Sequence, residues 1–170
     1  MDRVIVACLR AGVMSAVACV LSACSYNPAT GKKQLVFGMS RSDEIALGAQ
    51  AAPEFRQQNG GLVPDATAQA YVADLTTKLV SVTEGDYATL PWEVSFLNSP
   101  DINAFAIPGG KVFITRGLVE KMTNEAQLVG VMGHEVGHVT ARHTAQQVSE
   151  ATLLQGALVV GAVMVESSGD

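Results

Sequence analysis

The chain contains three histidines, His134, His138 and His143, and all fall within ten residues. Two of them frame a glutamate in His134-Glu135-Val136-Gly137-His138. On an α-helix, residues four apart share a face and lie about 6 Å apart along the axis, so both imidazoles can grip one metal ion. Glu135 then lies beside that ion. Zinc favours imidazole nitrogen, and a catalytic zinc site keeps one position open for a water whose pKa falls to about 7. A carboxylate next to this water can take its proton and pass it to a leaving amine. The chemistry on offer is hydrolysis, with one Zn2+ per chain, His134 and His138 as metal ligands and Glu135 as general base.

The H-E-x-x-H spacing is that of zinc peptidases. A helix from about 125 to about 150 is predicted to carry it, with Asn124 as N-cap and Gln127 three residues later. Leu128, Val129, Val131, Met132, Val136 and Val139 make this helix apolar nearly all round, as in a buried core helix. Buried histidines and a buried glutamate are costly without partners, and a metal ion supplies one. Gly130, Gly133 and Gly137 each cost the helix roughly 1 kcal/mol against alanine. In exchange they would let another backbone, or a substrate, come close. A packed helix with no metal is the competing reading.

Upstream, Ser40 with Asp43 resembles a capping box for a helix over about 41–57 that contains Pro53. Gly60-Gly61 breaks the chain, and Asp65 caps a second helix over about 66–82, where Tyr71, Val72, Leu75, Leu79 and Val82 recur at helical spacing. The period then changes. Trp92, Val94 and Phe96 alternate with Glu93 and Ser95, as in a strand with one buried face. Two further strands, 103–107 and 111–115, are joined at Pro108-Gly109-Gly110, where a tight hairpin is expected. Its role is structural on one reading. On the other, Asn103, Ala104, Phe105, Ala106, Gly109 and Gly110 belong to an edge strand that holds an extended peptide by main-chain pairing beside the zinc helix.

The first residues belong to no such domain. Arg3 and Arg10, the apolar stretch from Ala11 to Leu21 and the small residues after it resemble a signal peptide over 1–23. Leu21-Ser22-Ala23-Cys24 matches a bacterial lipobox, which would lipidate Cys24 and anchor the chain to a membrane. Ser25 after it resembles the pattern sorted to the outer membrane, with the domain on the periplasmic side of the envelope. Cleavage would remove Cys8 and Cys19, so no disulfide is expected in the mature chain. Residues 24–39 read as a polar, turn-rich tether ordering near Leu35, and 40–170 as one domain. With 11 basic and 16 acidic residues, a net charge of −5 and no basic run, nucleic-acid binding is not expected. The apolar segment 151–165 is shorter than the roughly 20 residues needed to span a bilayer, and is expected as a buried or membrane-touching helix.

Several segments together resemble the HtpX-like and CAAX-prenyl-protease-like family of zinc metallopeptidases, in a small periplasmic lipoprotein branch. They are residues 27–35, Glu44-Ile45-Ala46-Leu47-Gly48, Asn103-Ala104-Phe105-Ala106 with Pro108-Gly109-Gly110, and 124–138 with Arg142-His143. The resemblance implies an α+β fold, a mainly helical zincin-like (gluzincin) domain with a small sheet beside the H-E-x-x-H helix. It implies zinc on His134 and His138, Glu135 as base, and the 103–110 region beside the cleft. It also implies action on misfolded or misassembled cell-envelope proteins, as part of protein quality control.

The family's third zinc ligand is a glutamate several dozen residues after the second histidine, in an E-x-x-x-D or E-x-x-A-D setting. Only Glu150 and Glu166 follow here, and neither has that setting. Glu166 is the late carboxylate that a helical hairpin through 151–165 would bring back. His143 would lie about 140° further round a continuous helix than His138, facing away from the metal. The expectation is therefore a domain incomplete at its C-terminal end, weak in zinc binding and in activity. The alternatives are a non-catalytic, lipid-anchored, chaperone-like binding protein and an inactive fragment of the peptidase.

Overall fold

The computed structural model describes residues 24–27, 29–35, 39–152 and 154–155. The expected signal peptide, Glu166 and most of the apolar segment 151–165 lie outside the described residues. The chain falls into two compact units, and the described part of the smaller comprises 24–27, 31–35, 146–152 and 154–155. It contains a hairpin of β1 (Cys24–Asn27) and β2 (Lys32–Leu35), paired antiparallel from Cys24↔Leu35 to Asn27↔Lys32. Residues read as a tether thus form a regular ladder. Among the described residues no helix is long and apolar enough to cross a membrane.

The larger unit is α+β and mostly helical. Helix α1 (Arg41–Gln58) starts at the expected capping box, with Ser40 and Asp43 bonded reciprocally, and runs through Pro53. The Ser40 hydroxyl and amide that donate to the Asp43 carboxylate hold its pKa below the ordinary carboxylate value. Helix α2 (Ala66–Val80) starts at Asp65, whose carboxylate accepts from the amides of Thr67 and Ala68 at 2.9 and 3.0 Å. Asp65→Ala should lower stability by about 1 kcal/mol in urea titration. A single 3-10 turn, Tyr87–Thr89, precedes the sheet.

Three strands follow, β3 (Glu93–Leu97), β4 (Ala104–Ile107) and β5 (Lys111–Thr115), in the order β3-β5-β4. β4 and β5 form the expected hairpin, with Gly109 and Gly110 at φ +77° and +80° in its turn. β3 pairs parallel to β5. The sheet is covered on both sides. Val94, Phe96, Val112, Ile114, Ala104 and Ala106 pack with Val72 and Leu75 of α2 and with Leu128 and Met132 of the histidine-bearing helix α4 (Glu125–Thr140). Leu97, Phe113, Phe105 and Ile107 pack with Ala52 and Phe55 of α1. The expectation of one buried face for β3 is therefore corrected: Ser95 is buried, and its hydroxyl accepts from Arg56 Nε at 2.9 Å.

The packing of α1 on the hairpin is close. A Cβ at Gly48 would lie 1.9 Å from the Pro108 carbonyl oxygen, so alanine there forces helix and turn apart. Gly48→Ala should cost about 3 kcal/mol, read as a lower denaturation midpoint.

Two short features escaped the sequence pattern. One is α3 (Arg116–Val119), a single turn with Thr115 as cap. The other is the end of α4. It stops at Thr140, and Arg142 adopts a left-handed φ of +56° before the chain becomes helical again over 143–152. A single helix to about 150 is thus corrected to two, broken by a strained backbone residue with no glycine or proline to signal it.

Candidate active site

Asn124 starts α4, its side chain accepting from the Gln127 amide at 3.1 Å, while Gln127 Oε1 accepts from the Thr123 amide at 2.8 Å. The helix is buried along Leu128, Met132, Glu135, Val136 and Val139, which seat it on the sheet and α2. Its other side is open. Gly130 and His134 are exposed and Val131 only half-buried, so all-round burial is not what the apolar composition produces here. The open side faces a cleft of about 570 Å³ lined by Ile102, Asn103, Ala104, Leu118, Gly130, Val131, His134 and Glu135.

His134 and His138 meet as the spacing requires. Their Nε2 atoms are 3.0 Å apart and the rings stand edge to face. Two nitrogens bound to one tetrahedral zinc at about 2.0–2.1 Å stand about 3.3 Å apart, so a small outward shift of the rings admits the ion. The donor set fits zinc as far as it goes: two imidazoles whose Nε2 atoms converge, and a carboxylate that lines the cleft with His134. Among the described residues no third histidine, cysteine or acidic residue completes a cluster. Glu150 is exposed on the segment after the break.

The remaining expected site residues divide. Asn103 and Ala104 line the cleft with His134 and Glu135. Phe105 points to the opposite face, stacked on Phe113 with centroids 4.7 Å apart. Ala106 packs in the core beside α4. Gly109 and Gly110 lie in the turn, against Ile45 and Trp92, and take no part in lining the cleft.

The two sheet edges differ. Outside β3, the Phe96 carbonyl accepts from the Val63 amide and the Gln69 side chain at 2.9 and 2.7 Å, and Gln69 Oε1 accepts from the Phe96 amide at 3.2 Å. That edge is covered. β4 pairs with β5 on one side, and no strand is hydrogen-bonded to its other side among the described residues. The approach to β4 is fixed by the buried Thr115, whose amide donates to the Asn103 carbonyl at 3.1 Å and whose hydroxyl accepts from the Asn103 amide at 3.0 Å.

Sequence reasoning did not foresee the placement of four residues around this site. Ile102 and Leu118 line the cleft without any periodic signal. Arg142 donates through Nε and Nη2 to Glu44 Oε1 at 2.8 and 2.5 Å, and through Nη2 to the Met39 carbonyl at 3.0 Å. His143, expected to face away, instead brings Nδ1 to 2.8 Å from His138 Nδ1, because the helix breaks before it.

A histidine pair and glutamate on a buried helix, set beside the open edge of a small mixed sheet, define a domain of the zinc-peptidase class. The profile of Peptidase family M48 matches residues 66–169, and the chain belongs to that zinc-dependent family. It is similar to the beta-barrel assembly-enhancing protease of Escherichia coli K12, with 34% identity over 112 residues, 66% of this chain and 22% of that protein. It is also similar to the mitochondrial metalloendopeptidase OMA1 of Schizosaccharomyces pombe, with 30% identity over 99 residues, 58% of this chain and 29% of that protein. The namesake in Arabidopsis thaliana is 41% identical over 61 residues, 36% of this chain and 13% of that protein. The chain thus spans less than a third of the length of each of these relatives.

Proposed function

We propose that the protein is a zinc-dependent endopeptidase of the bacterial cell envelope, cutting misfolded or misassembled envelope proteins within extended segments. The observation that carries this reading is the convergence of His134 and His138 Nε2 at 3.0 Å, with His134 and Glu135 lining the cleft. His134 and His138 would hold zinc, which supplies Lewis-acid polarisation of water and of the peptide carbonyl. Glu135, one residue from His134 and lining the same cleft, takes a proton from the attacking water and returns it to the leaving nitrogen.

The open edge of β4 offers unpaired amides and carbonyls to an extended substrate strand, which would run past His134 with its side chains toward Ile102, Leu118 and Val131. Pairing of this kind reads backbone rather than side chains, so it selects unfolded segments over folded ones. Similarity to the beta-barrel assembly-enhancing protease of Escherichia coli supports envelope substrates, and the Leu21 to Cys24 lipobox supports a lipid-anchored, periplasmic, outer-membrane location.

Two measurements test it. In a full-length form that supplies the third ligand, the purified protein should take up one zinc, read by elemental analysis, and cleave an unfolded protein while sparing the same protein folded. Loss of cleavage with zinc fully loaded would reject the peptidase reading. Cys24→Ala should move the protein from the membrane to the soluble fraction, and mass spectrometry finding an unmodified Cys24 at the mature N-terminus would reject the anchor.

A further inference from the structure

His143 has no part in the hydrolytic scheme, yet its Nδ1 stands 2.8 Å from Nδ1 of His138. The other nitrogen of that ring, Nε2, is the one that faces His134. An imidazole that gives its Nε2 lone pair to a metal carries its proton on Nδ1 and is a donor there. The acceptor in reach is His143 Nδ1, which puts the proton of His143 on its own Nε2. The two rings stand at 73°, so the His138 N–H can point along the His143 lone pair.

The backbone is arranged to deliver this contact. A continuous helix would carry His143 away from His138 by about 140°. The left-handed Arg142 folds the chain back, a conformation that costs a non-glycine residue of order 1 kcal/mol or more. What offsets that cost is the Arg142 guanidinium, held by Glu44 of α1 and by the Met39 carbonyl. Glu44 is 7% exposed, so the anchor is internal rather than a surface ion pair.

We infer that His143 is a positioning residue for the metal site: it fixes the tautomer and the ring orientation of His138, and the Glu44–Arg142 pair places it. The inference rests on zinc binding at His134 and His138. It deepens that reading by assigning the nitrogen that the metal does not use.

The test is metal affinity rather than turnover. Full chain stripped of metal is titrated with zinc against a chromophoric chelator, and with Co2+ for its visible ligand-field spectrum. His143→Ala should weaken zinc binding 10- to 100-fold, the usual effect of losing such a partner. His143→Asn should recover affinity to within about threefold, because its amide oxygen occupies nearly the place of Nδ1. His143→Gln, closer to histidine in size but carrying its oxygen one bond further out, should stay as weak as alanine. A merely packing role predicts the reverse order for Asn and Gln, and that order would overturn the inference, as would alanine binding zinc like the parent. The Co2+ spectrum should follow the same ranking, parent with Asn and Ala with Gln. Failure of the parent chain itself to take up either metal would instead remove the zinc reading, and is distinguished by that control.

Discussion

In a full-length form that supplies the third ligand, Glu135→Gln leaves zinc bound and lowers peptidase activity by at least about 10²-fold, the lower end of what a positioned general base contributes. The amide matches the carboxylate in size and still fills the buried position beside His134, but it cannot accept the proton of the attacking water. His134→Ala should differ in kind. It removes one of the two converging nitrogens, so metal and activity disappear together. Zinc content beside cleavage of an unfolded protein separates the two variants, and full activity in the glutamine variant would remove Glu135 from the role of base.

The site was legible in the sequence where chemistry and helical geometry coincide. The spacing of four fixes the meeting of His134 and His138 almost regardless of the rest of the fold, and the caps at Ser40, Asp65 and Asn124 announce their helices because each satisfies amides that nothing else can reach. The hairpin was legible for a related reason, since Pro108-Gly109-Gly110 supplies two positive-φ residues between apolar runs. What could not be read depends on tertiary contact. No local rule marks Arg142 as left-handed, and its anchor, Glu44, lies 98 residues away. Without that break, a continuous helix carries His143 away from His138, and the contact between the two rings has no local signal. The openness of α4 was hidden for a similar cause: composition counts apolar residues, but whether Val131 faces a core or a cleft is decided by what packs opposite it, here Ile102, Asn103, Ala104 and Leu118 across an open cleft.

Glu44→Ala should be the most damaging single change outside the reacting groups. It removes the carboxylate from a guanidinium only 13% exposed at its side chain and leaves that charge, among the described residues, with the Met39 carbonyl as acceptor. Breaking a buried pair from one side costs about 3–5 kcal/mol, against a domain stability of roughly 5–15 kcal/mol. Adding Arg142→Ala should return part of that loss, because the stranded charge goes with it. Chemical denaturation of both single variants and the double variant checks this, and additive losses would mean that the pair is not coupled.

The order of strands in the sheet also bears on how the chain acquires its structure. β4 meets β5 across a three-residue turn, a closure of the kind completed in about 1–10 μs. β3 meets β5 in parallel and waits on the residues between them. The hairpin therefore precedes the rest of the sheet, and amides of 104–107 and 111–115 should gain protection in pulsed hydrogen exchange before those of 93–97. During synthesis the same order leaves β4 formed while α4, which follows it in the chain, is still to come. The open strand edge then stands beside an apolar face that the helix has yet to cover, and a second copy can pair with it at that stage. The edge that suits an extended guest in the finished protein is, on the ribosome, also a template for a second copy of the chain.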